Sequence, residues 1–222
     1  MSEINSLQRI LFVRHGRTDW NESMRYQGKS DIPLNEEGLL QAQKTSRRIS
    51  QWFSPEVVYS SPLKRALVTA ETINNAFEEP VDLRVFDELA EMDFGRWEGR
   101  SFRELRKEEA ELYMNWRHDP VRVTPPGGEP FEHICERVSR VLEEIQATGM
   151  TRILVVSHGG ILRACIMKLL SLDSSVIWKL RLDNCAISIV DMLNYTAALV
   201  SWNDHIHVNL PLELAGNIPL PV

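Results

Sequence analysis

Short apolar segments alternate along this chain with longer segments in which apolar residues recur every three or four positions. Six short segments predict buried strands: residues 10–13, 57–59, 83–86, 153–156, 186–191 and 199–203. Four longer segments predict helices: residues 36–53, 62–77, 131–145 and 161–170. Strands and helices in alternation predict the α/β fold class, as a three-layer α/β/α sandwich whose mainly parallel central sheet has helices on both faces.

Residues that commonly cap helices stand at the start of several of these segments. Asn35 is predicted to cap a helix whose apolar positions are Leu39, Ala42, Ile49, Trp52 and Phe53. Ser61 is predicted to cap the next helix. Ser101 and Glu104 have the spacing of a capping box, in which each side chain bonds the backbone N–H of the other residue. This pair predicts one polar helix that runs through Tyr113.

Length and composition indicate a single domain over residues 1–222. The chain is 43% hydrophobic and 25% charged, which is ordinary for globular proteins. A chain of this size buries enough apolar surface to fold without disulfides. Residues 93–129 are charged and rich in loop-forming residues. We expect this segment to form a small cap, inserted over the carboxyl edge of the sheet.

Net charge, apolar run length and cysteine spacing indicate which partners and which cellular compartment to expect. A net charge of −6 disfavours nucleic acid and anionic membranes as partners. No apolar run approaches the ~20 residues that span a bilayer, and the first nine residues lack the pattern of a signal peptide. The three cysteines, Cys135, Cys165 and Cys185, show no metal-ligand spacing. We therefore expect a cytoplasmic protein with reduced, structural thiols.

Chemically reactive side chains follow four of the predicted strands. Arg14 and His15 come directly after the first strand, and Arg65 lies in the first turn of the helix after the second. Glu91 follows the third strand and His158 follows the fourth. The carboxyl ends of parallel strands meet in one crevice of such a sheet. Because arginine suits phosphate recognition and histidine serves as a nucleophile, the pattern predicts a phosphate site with a nucleophile and a proton donor.

Five motifs together carry a family resemblance. They are Arg14-His15-Gly16 with Thr18 and Asn21, Tyr26-Gln27-Gly28, the segment 60–66 around Arg65, Glu91 four residues before Gly95, and Ser157-His158-Gly159. On these motifs the chain resembles the histidine phosphatase superfamily, also called the phosphoglycerate mutase-like superfamily. The likeness runs from about residue 9 to beyond residue 201. Arg17 departs from the pattern, because the family often has glutamate there, and it changes the charge at the rim of the pocket.

The resemblance implies a reaction in two steps. His15 attacks the phosphorus of a monoester and forms a phosphohistidine while Glu91 protonates the leaving alkoxide, and water that Glu91 deprotonates then releases phosphate. Arg14, Arg65 and His158 complete the implied catalytic group. The implied substrate-binding residues are Thr18, Asn21, Gln27, Gly28 and Gly159. The two arginines also favour a neutral His15, because nearby cations disfavour a further positive charge.

Two reactions of the superfamily stay open, hydrolysis and the mutase reaction that returns the phosphoryl group to a sugar acid. Arg100 and Arg117 partly match cations of the mutases' second phosphate site, whereas residues 93–99 and 126–129 resemble the hydrolase branch. We therefore favour a phosphomonoesterase without metal or cofactor, similar to α-ribazole phosphatases, metal-independent phosphoserine phosphatases and broad-specificity monoesterases. The alternatives are a phosphoglycerate mutase-type phosphoryl transferase and a non-catalytic module that binds phospho-ligands. The expected partner is a small phosphate monoester. The sequence leaves the oligomeric state open, and a homodimer is compatible with the relatives.

Overall fold

A six-stranded sheet forms the centre of the computed structural model, which describes residues 7–193 and 196–221. In chain order the strands are β1 (Gln8–Arg14), β2 (Val57–Ser60), β3 (Asp82–Val85), β4 (Arg152–Ser157), β5 (Ile187–Leu193) and β6 (Thr196–Asp204). Across the sheet the order is β3-β2-β4-β1-β5-β6. The first four strands pair in parallel, whereas β5 runs antiparallel to both β1 and β6. The predicted mainly parallel sheet is confirmed, with an antiparallel edge.

Helices cover both faces of the sheet. Those of the described residues are α1 (Asp19–Glu22), α2 (Glu36–Trp52), α3 (Lys64–Asn74), α4 (Phe102–Glu108), α5 (Ala110–His118), α6 (Phe131–Ala147) and α7 (Gly159–Leu169). Side chains of β1 alternate, so that Ile10 and Phe12 face one apolar cluster while Leu11 and Val13 face another. Helices α6 and α7 pack in the first cluster, and α2 and α3 in the second. The predicted three-layer sandwich is therefore confirmed.

Two of the predicted caps form, and one does not. The Asn35 side chain accepts a hydrogen bond from the backbone N–H of Gly38 at the start of α2 (2.9 Å), and the capping box of Ser101 opens α4. Ser61 instead accepts from the backbone N–H of Leu63 (3.2 Å). This hydrogen bond closes a turn, and α3 begins only at Lys64, without a side-chain cap.

The polar helix predicted through Tyr113 is broken into α4 and α5 at Glu109. The backbone of Glu109 has φ −132° and ψ 41°, which is not helical. Its carboxylate accepts hydrogen bonds from the indole N–H of Trp97 (3.0 Å) and from the guanidinium of Arg100. These contacts to the preceding turn fix the junction between α4 and α5. No local sequence pattern predicts them.

The inward face of α2 is more polar than the periodicity predicts. Leu39 and Trp52, expected on the apolar face, are 43% and 49% exposed. Arg48 is only 1% exposed and donates to the carboxylate of Asp204 (2.6 Å) and to the carbonyls of residues 218 and 219. A buried charge is tolerated when it is paired in this way. The partners come from the carboxyl-terminal segment, so the pattern of α2 alone could not show them.

Residues 93–129, the predicted cap, carry α4, α5 and an aromatic cluster. Trp97 and Trp116 lie with their ring centroids 5.3 Å apart, and both contact Tyr26. Two isolated backbone bridges join this segment to the loop after α1, between Arg25 and Ser101 and between Tyr26 and Glu98. The segment is thereby attached next to the loop that contains two of the predicted substrate-binding residues.

Candidate active site

The candidate site lies where the carboxyl ends of the parallel strands β1, β2 and β4 meet. The backbone N–H of His15 donates to the carbonyl of Ser157 (2.9 Å), and that of Ser61 donates to the carbonyl of Val156 (3.1 Å). These hydrogen bonds continue the pairing of β1 and β2 with β4 beyond the strand ends. They join the segments that carry the predicted histidines and arginines, so the strand ends meet as the sequence predicts.

His15 is buried, and one of its ring nitrogens has no hydrogen-bond partner among the described residues. Its Nδ1 lies 2.7 Å from the carbonyl oxygen of Gly16, and because a carbonyl only accepts, Nδ1 donates the hydrogen bond. The Nε2 atom of the neutral ring therefore carries a lone pair. Burial, reinforced by the positive charges of Arg65 and Arg14, holds the pKa of His15 well below its ordinary value. The ring is therefore uncharged in a positive environment.

Arg65 is fully buried and held by three neighbours. Its Nη1 and Nη2 atoms donate to the carbonyls of Ser30 (2.7 Å) and Gly28 (2.6 Å), and its Nε donates to Nδ1 of His158 (3.2 Å). Burial lowers the pKa of Arg65 to about 10, so the guanidinium stays charged at neutral pH. Its orientation is set before any ligand binds.

His158 lies behind the cavity rather than in its lining. Its Nδ1 accepts from Arg65, so its proton is on Nε2, which donates to the hydroxyl oxygen of Ser61 (2.7 Å). Burial, followed by the charge of Arg65, holds the pKa of His158 well below its ordinary value. Its ring centroid is 5.1 Å from that of His15. In this arrangement both ring nitrogens are engaged, and His158 supports Arg65.

Three further guanidinium groups line the cavity, those of Arg14, Arg25 and Arg163. Arg14 donates from Nη1 to the carbonyl of Leu182 (2.7 Å), while its buried Nε has no hydrogen-bond partner among the described residues. Arg163, which the sequence reasoning missed, donates to the carbonyls of Leu180 (2.5 Å) and Gly159 (2.9 Å). It lies one helical turn after Gly159 on α7, a spacing that could have identified it.

Glu91 is held at the amino terminus of α7. Its carboxylate accepts hydrogen bonds from the backbone N–H groups of Met92 (3.0 Å), Gly160 (3.1 Å) and Ile161 (3.3 Å). It also lines the cavity. Glu88, the other acid near the end of β3, lies 3.7 Å from the guanidinium of Arg140 instead. The structure thus separates two acids that are only three positions apart in the sequence.

Asn21 lines the cavity, whereas Thr18 does not. Thr18 is buried outside the cavity lining and caps α1. The Oδ1 atom of Asn21 accepts from the backbone N–H (3.2 Å) and hydroxyl (3.1 Å) of Thr18 and from Nδ2 of Asn184 (3.2 Å). Because Oδ1 is occupied, the amide nitrogen of Asn21 is left to face the cavity that Asn21 lines. Asn184 also donates to the carbonyl of His15 (3.0 Å).

The remaining residues that the sequence analysis singled out also divide into those that line the cavity and those that do not. Gln27, Gly28 and Gly159 line the cavity, and Oε1 of Gln27 is buried without a partner among the described residues. Gly28 has φ +54°, and a Cβ there would lie 1.9 Å from Oε1 of Glu98, so a side chain at this position would strain the backbone and displace the Glu98 carboxylate. Arg17 is exposed and outside the cavity lining.

The cavity formed by these residues has a volume of about 210 Å³. Its charged lining among the described residues consists of Arg14, Arg25, Arg65, Arg163 and Glu91. Four cations against one anion, with neutral His15 between them, form a site for a multiply charged anion such as a phosphate monoester.

Neither a metal centre nor a membrane span stands out in the described part of the chain. No group of three His, Cys, Asp or Glu side chains in residues 7–193 and 196–221 has the arrangement of a metal site. No helix in those ranges is long and apolar enough to cross a membrane.

Comparison with known proteins identifies the class that this fold and site define. The model of the histidine phosphatase superfamily (branch 1) matches residues 10–205. The chain belongs to this superfamily, and the enzyme class that its relatives support is phosphoric monoester hydrolase.

Similar proteins cover most of the chain. Phosphoserine phosphatase 1 of Hydrogenobacter thermophilus is 32% identical over 201 residues, which are 90% of this chain and 94% of that protein. The adenosylcobalamin/α-ribazole phosphatase of Salmonella typhimurium is 34% identical over 196 residues, 88% of this chain and 96% of that one. The chain spans about half of a bifunctional protein of Mycobacterium tuberculosis, at 37% identity over 185 residues, 82% of this chain.

The solved structures agree with these relatives. The α-ribazole phosphatase of Shigella flexneri has a TM-score of 0.80 to this structure at 32% identity, covering 89% of this chain and 97% of that chain. The fold and the phosphatase class therefore rest on the same family.

Proposed function

We propose that the protein is a metal-independent phosphomonoesterase that works through a phosphohistidine on Nε2 of His15. The observation that carries this proposal is the hydrogen bond from Nδ1 of His15 to the carbonyl of Gly16, 2.7 Å long, which leaves Nε2 free. A neutral imidazole beside several guanidinium groups combines a nucleophile with a binding site for the group it attacks.

In the first step, Nε2 of His15 forms a bond to phosphorus while the bond between phosphorus and the ester oxygen breaks. Glu91 transfers its proton to the departing oxygen. Arg14 and Arg65 hold the non-bridging oxygens as charge shifts among them, and the amide nitrogen of Asn21 adds a neutral donor. Since the positions of Arg65 and Asn21 are set by other protein groups, little reorganisation is needed during the reaction.

In the second step, water takes the place of the alcohol. Glu91 accepts a proton from the water, and the resulting oxygen attacks phosphorus as the bond to Nε2 breaks. Inorganic phosphate leaves, and His15 returns to its neutral form. Glu91 thus ends the cycle protonated, ready for the next substrate.

The proposed substrates are small phosphorylated metabolites. The names of the relatives point to α-ribazole phosphate and phosphoserine as the first to try.

We propose that residues 1–222 act as one domain, that residues 93–129 cap the site, and that the enzyme is a cytoplasmic homodimer. Neither nucleic acid nor a membrane takes part in the proposed reaction.

The state of Arg100 favours hydrolysis over the mutase reaction. Arg100 partly matches a cation of the mutases' second phosphate site, yet its guanidinium pairs with Glu108 (2.7 Å) and Glu109. A cation that two carboxylates neutralise contributes little to binding a second phosphate. A monoesterase needs no second phosphate site.

One experiment tests the proposal. Phosphate release from 4-nitrophenyl phosphate is measured for the wild type and for His15→Ala, with a strong chelator present. The wild type should turn over and the variant should not, and quenching with labelled ester should trap an acid-labile, base-stable adduct on His15. Near wild-type turnover by His15→Ala, a large loss that added metal restores, or transfer to a sugar acid instead of water would each refute it.

A further inference from the structure

A second depression opens next to the catalytic cavity. We call it the outer groove; it lies between the loop at Met24 and helices α4 and α5. Arg25 and Tyr26 line both the outer groove and the cavity, so the two lie side by side. The outer groove measures about 600 Å³ and the cavity about 210 Å³. The alcohol of a substrate whose phosphoryl group occupies the cavity would thus have a larger space beside it to occupy.

The charges of the outer groove are all positive. Arg25, Arg106 and Arg117 line it, and no acidic side chain does so among the described residues. Within the part of the chain that the structure describes, Arg106 and Arg117 form no ion pair, and Arg25 has one contact with Glu104 at 3.4 Å. Cations left without counter-ions beside a site attract a negatively charged ligand. The groove is thus complementary to an anion.

The rest of the outer groove is apolar. Met24 and Met114 are 44% and 53% exposed there, and Phe102 lies beside them. Met24 has φ +55°, a conformation that residues other than glycine rarely adopt. Its carbonyl accepts from the backbone N–H of Phe102 (3.3 Å), which ties this strained residue to the start of α4. Flexible thioether side chains adapt to the shape of an apolar ligand.

Two tyrosines, Tyr26 and Tyr113, line the outer groove, and Tyr26 also lines the cavity. The hydroxyl groups of Tyr26 and Tyr113 lie 3.0 Å apart and hydrogen-bond to each other. Because one hydrogen bond uses the proton of only one hydroxyl, this wall offers aromatic rings and one further hydroxyl proton to a ligand. A ligand that extends from the cavity would meet Arg25 and Tyr26 first, because these two residues line both spaces.

We propose that the outer groove binds the leaving group of the substrate, and that the substrate class is a monoester whose alcohol joins an apolar or aromatic body to a second anionic group. The second group is a carboxylate. This inference rests on the proposed function, because it assigns the alcohol side of the same reaction. It distinguishes the protein from a phosphatase selective for neutral alcohols.

The test compares two esters that differ by one charge, 2-naphthyl phosphate and its 6-carboxylate derivative. The wild type should have the higher kcat/KM for the carboxylated ester, by about five-fold, the size of a partly exposed charge pair. Arg106→Gln should remove most of this preference. Arg103→Gln is the matched control, because Arg103 is exposed on the same helix outside the groove, and it should keep the preference.

Binding provides a second measurement that does not depend on turnover. Calorimetry on His15→Ala should show tighter binding of the carboxylated ester, and adding Arg106→Gln should abolish the difference. If neither ester is hydrolysed by the wild type, the proposed function fails, while the binding data still decide the role of the groove. Equal use and equal binding of the two esters, or a preference that Arg106→Gln leaves intact, would overturn the inference.

Discussion

Arg65 donates a hydrogen bond from Nε to Nδ1 of His158, at 3.2 Å. Because a guanidinium only donates, this contact places the proton of the neutral His158 ring on Nε2, where it is given to Ser61. One hydrogen bond therefore fixes both the histidine tautomer and the direction of a buried cation. The second histidine of the site is, in this arrangement, a support for the arginine.

A variant of His158 that lacks a hydrogen-bond acceptor should lose more activity than a variant that supplies another acceptor. His158→Phe leaves the buried Nε of Arg65 without a partner, a loss of about 1–3 kcal/mol, so kcat/KM should fall about 10- to 100-fold. His158→Gln should lose less, since its amide oxygen can accept the same hydrogen bond. Both are measured with 4-nitrophenyl phosphate, and thermal unfolding checks that each variant is folded. Equal losses in the two variants would contradict the supporting role.

Glu91 and Glu88 should respond differently to the leaving group. Glu91→Gln should lose about 10²–10⁴-fold with a basic alkoxide leaving group, because positioned acid catalysis is worth that much. The loss should be much smaller with nitrophenolate, which departs without a proton. Glu88→Gln is the control, since Glu88 lies against Arg140. The measurement is the ratio of the two losses for each variant. A leaving-group-dependent defect confined to Glu88→Gln would reverse the assignment.

Asn184 should act through the residues that it holds. Its Nδ2 atom contacts the carbonyls of His15 (3.0 Å) and Gly16 (3.3 Å) and Oδ1 of Asn21 (3.2 Å). Asn184→Ala should lower kcat about 10-fold, in line with the loss of ~1.4 kcal/mol of positioning. Asn115→Ala, exposed on α5, is the control.

A double-mutant cycle separates this role from a general loss of stability. If Asn184 positions Asn21, the effects of Asn184→Ala and Asn21→Ala on kcat should be less than additive. Strictly additive losses would show that the two side chains act independently.

Acid should destabilise the fold through His207. This ring is buried between Thr45 and Arg48, and burial, followed by the charge of Arg48, lowers its pKa to about 3. The unfolded chain binds a proton near pH 6.5 and the folded chain does not, so stability is present above that pH and is lost as pH falls toward 3. For one such group the loss is about 2 kcal/mol between pH 7.5 and pH 5.

Denaturant unfolding at these two pH values measures the effect. His207→Gln should reduce the difference in unfolding free energy between them by about 2 kcal/mol, whatever its stability at pH 7.5. His118→Gln, at an exposed position, serves as the control. An unchanged pH dependence in His207→Gln would assign the acid sensitivity to other groups, His15 and His158 among them.

The fold was largely predictable because its signals are local. The alternation of Ile10, Leu11, Phe12 and Val13 is resolved onto the two faces of β1, and the capping box at Ser101 forms within four residues of chain. Predictions failed where a distant segment intervened. The buried face of α2 is polar because Asp204 and the carboxyl-terminal carbonyls reach Arg48.

The same distinction applies to the candidate site. The sequence by itself determined which segments follow the parallel strands, and hence that His15, Arg65, Glu91 and His158 would meet. It could not show which atoms face the cavity. Those directions depend on hydrogen bonds between residues 93 positions apart, for Arg65 and His158, and 163 apart, for Asn21 and Asn184.

Only the tertiary structure decided the division of roles among the polar side chains. Thr18 turned out to be a cap behind Asn21, and Arg163 entered the cavity without a recognised motif. The physical reason is that the donors and acceptors of a side chain are used by whichever partners the packed segments bring within reach. Local sequence patterns specify where the backbone goes, whereas the partners of each donor and acceptor are known only when the segments have packed together.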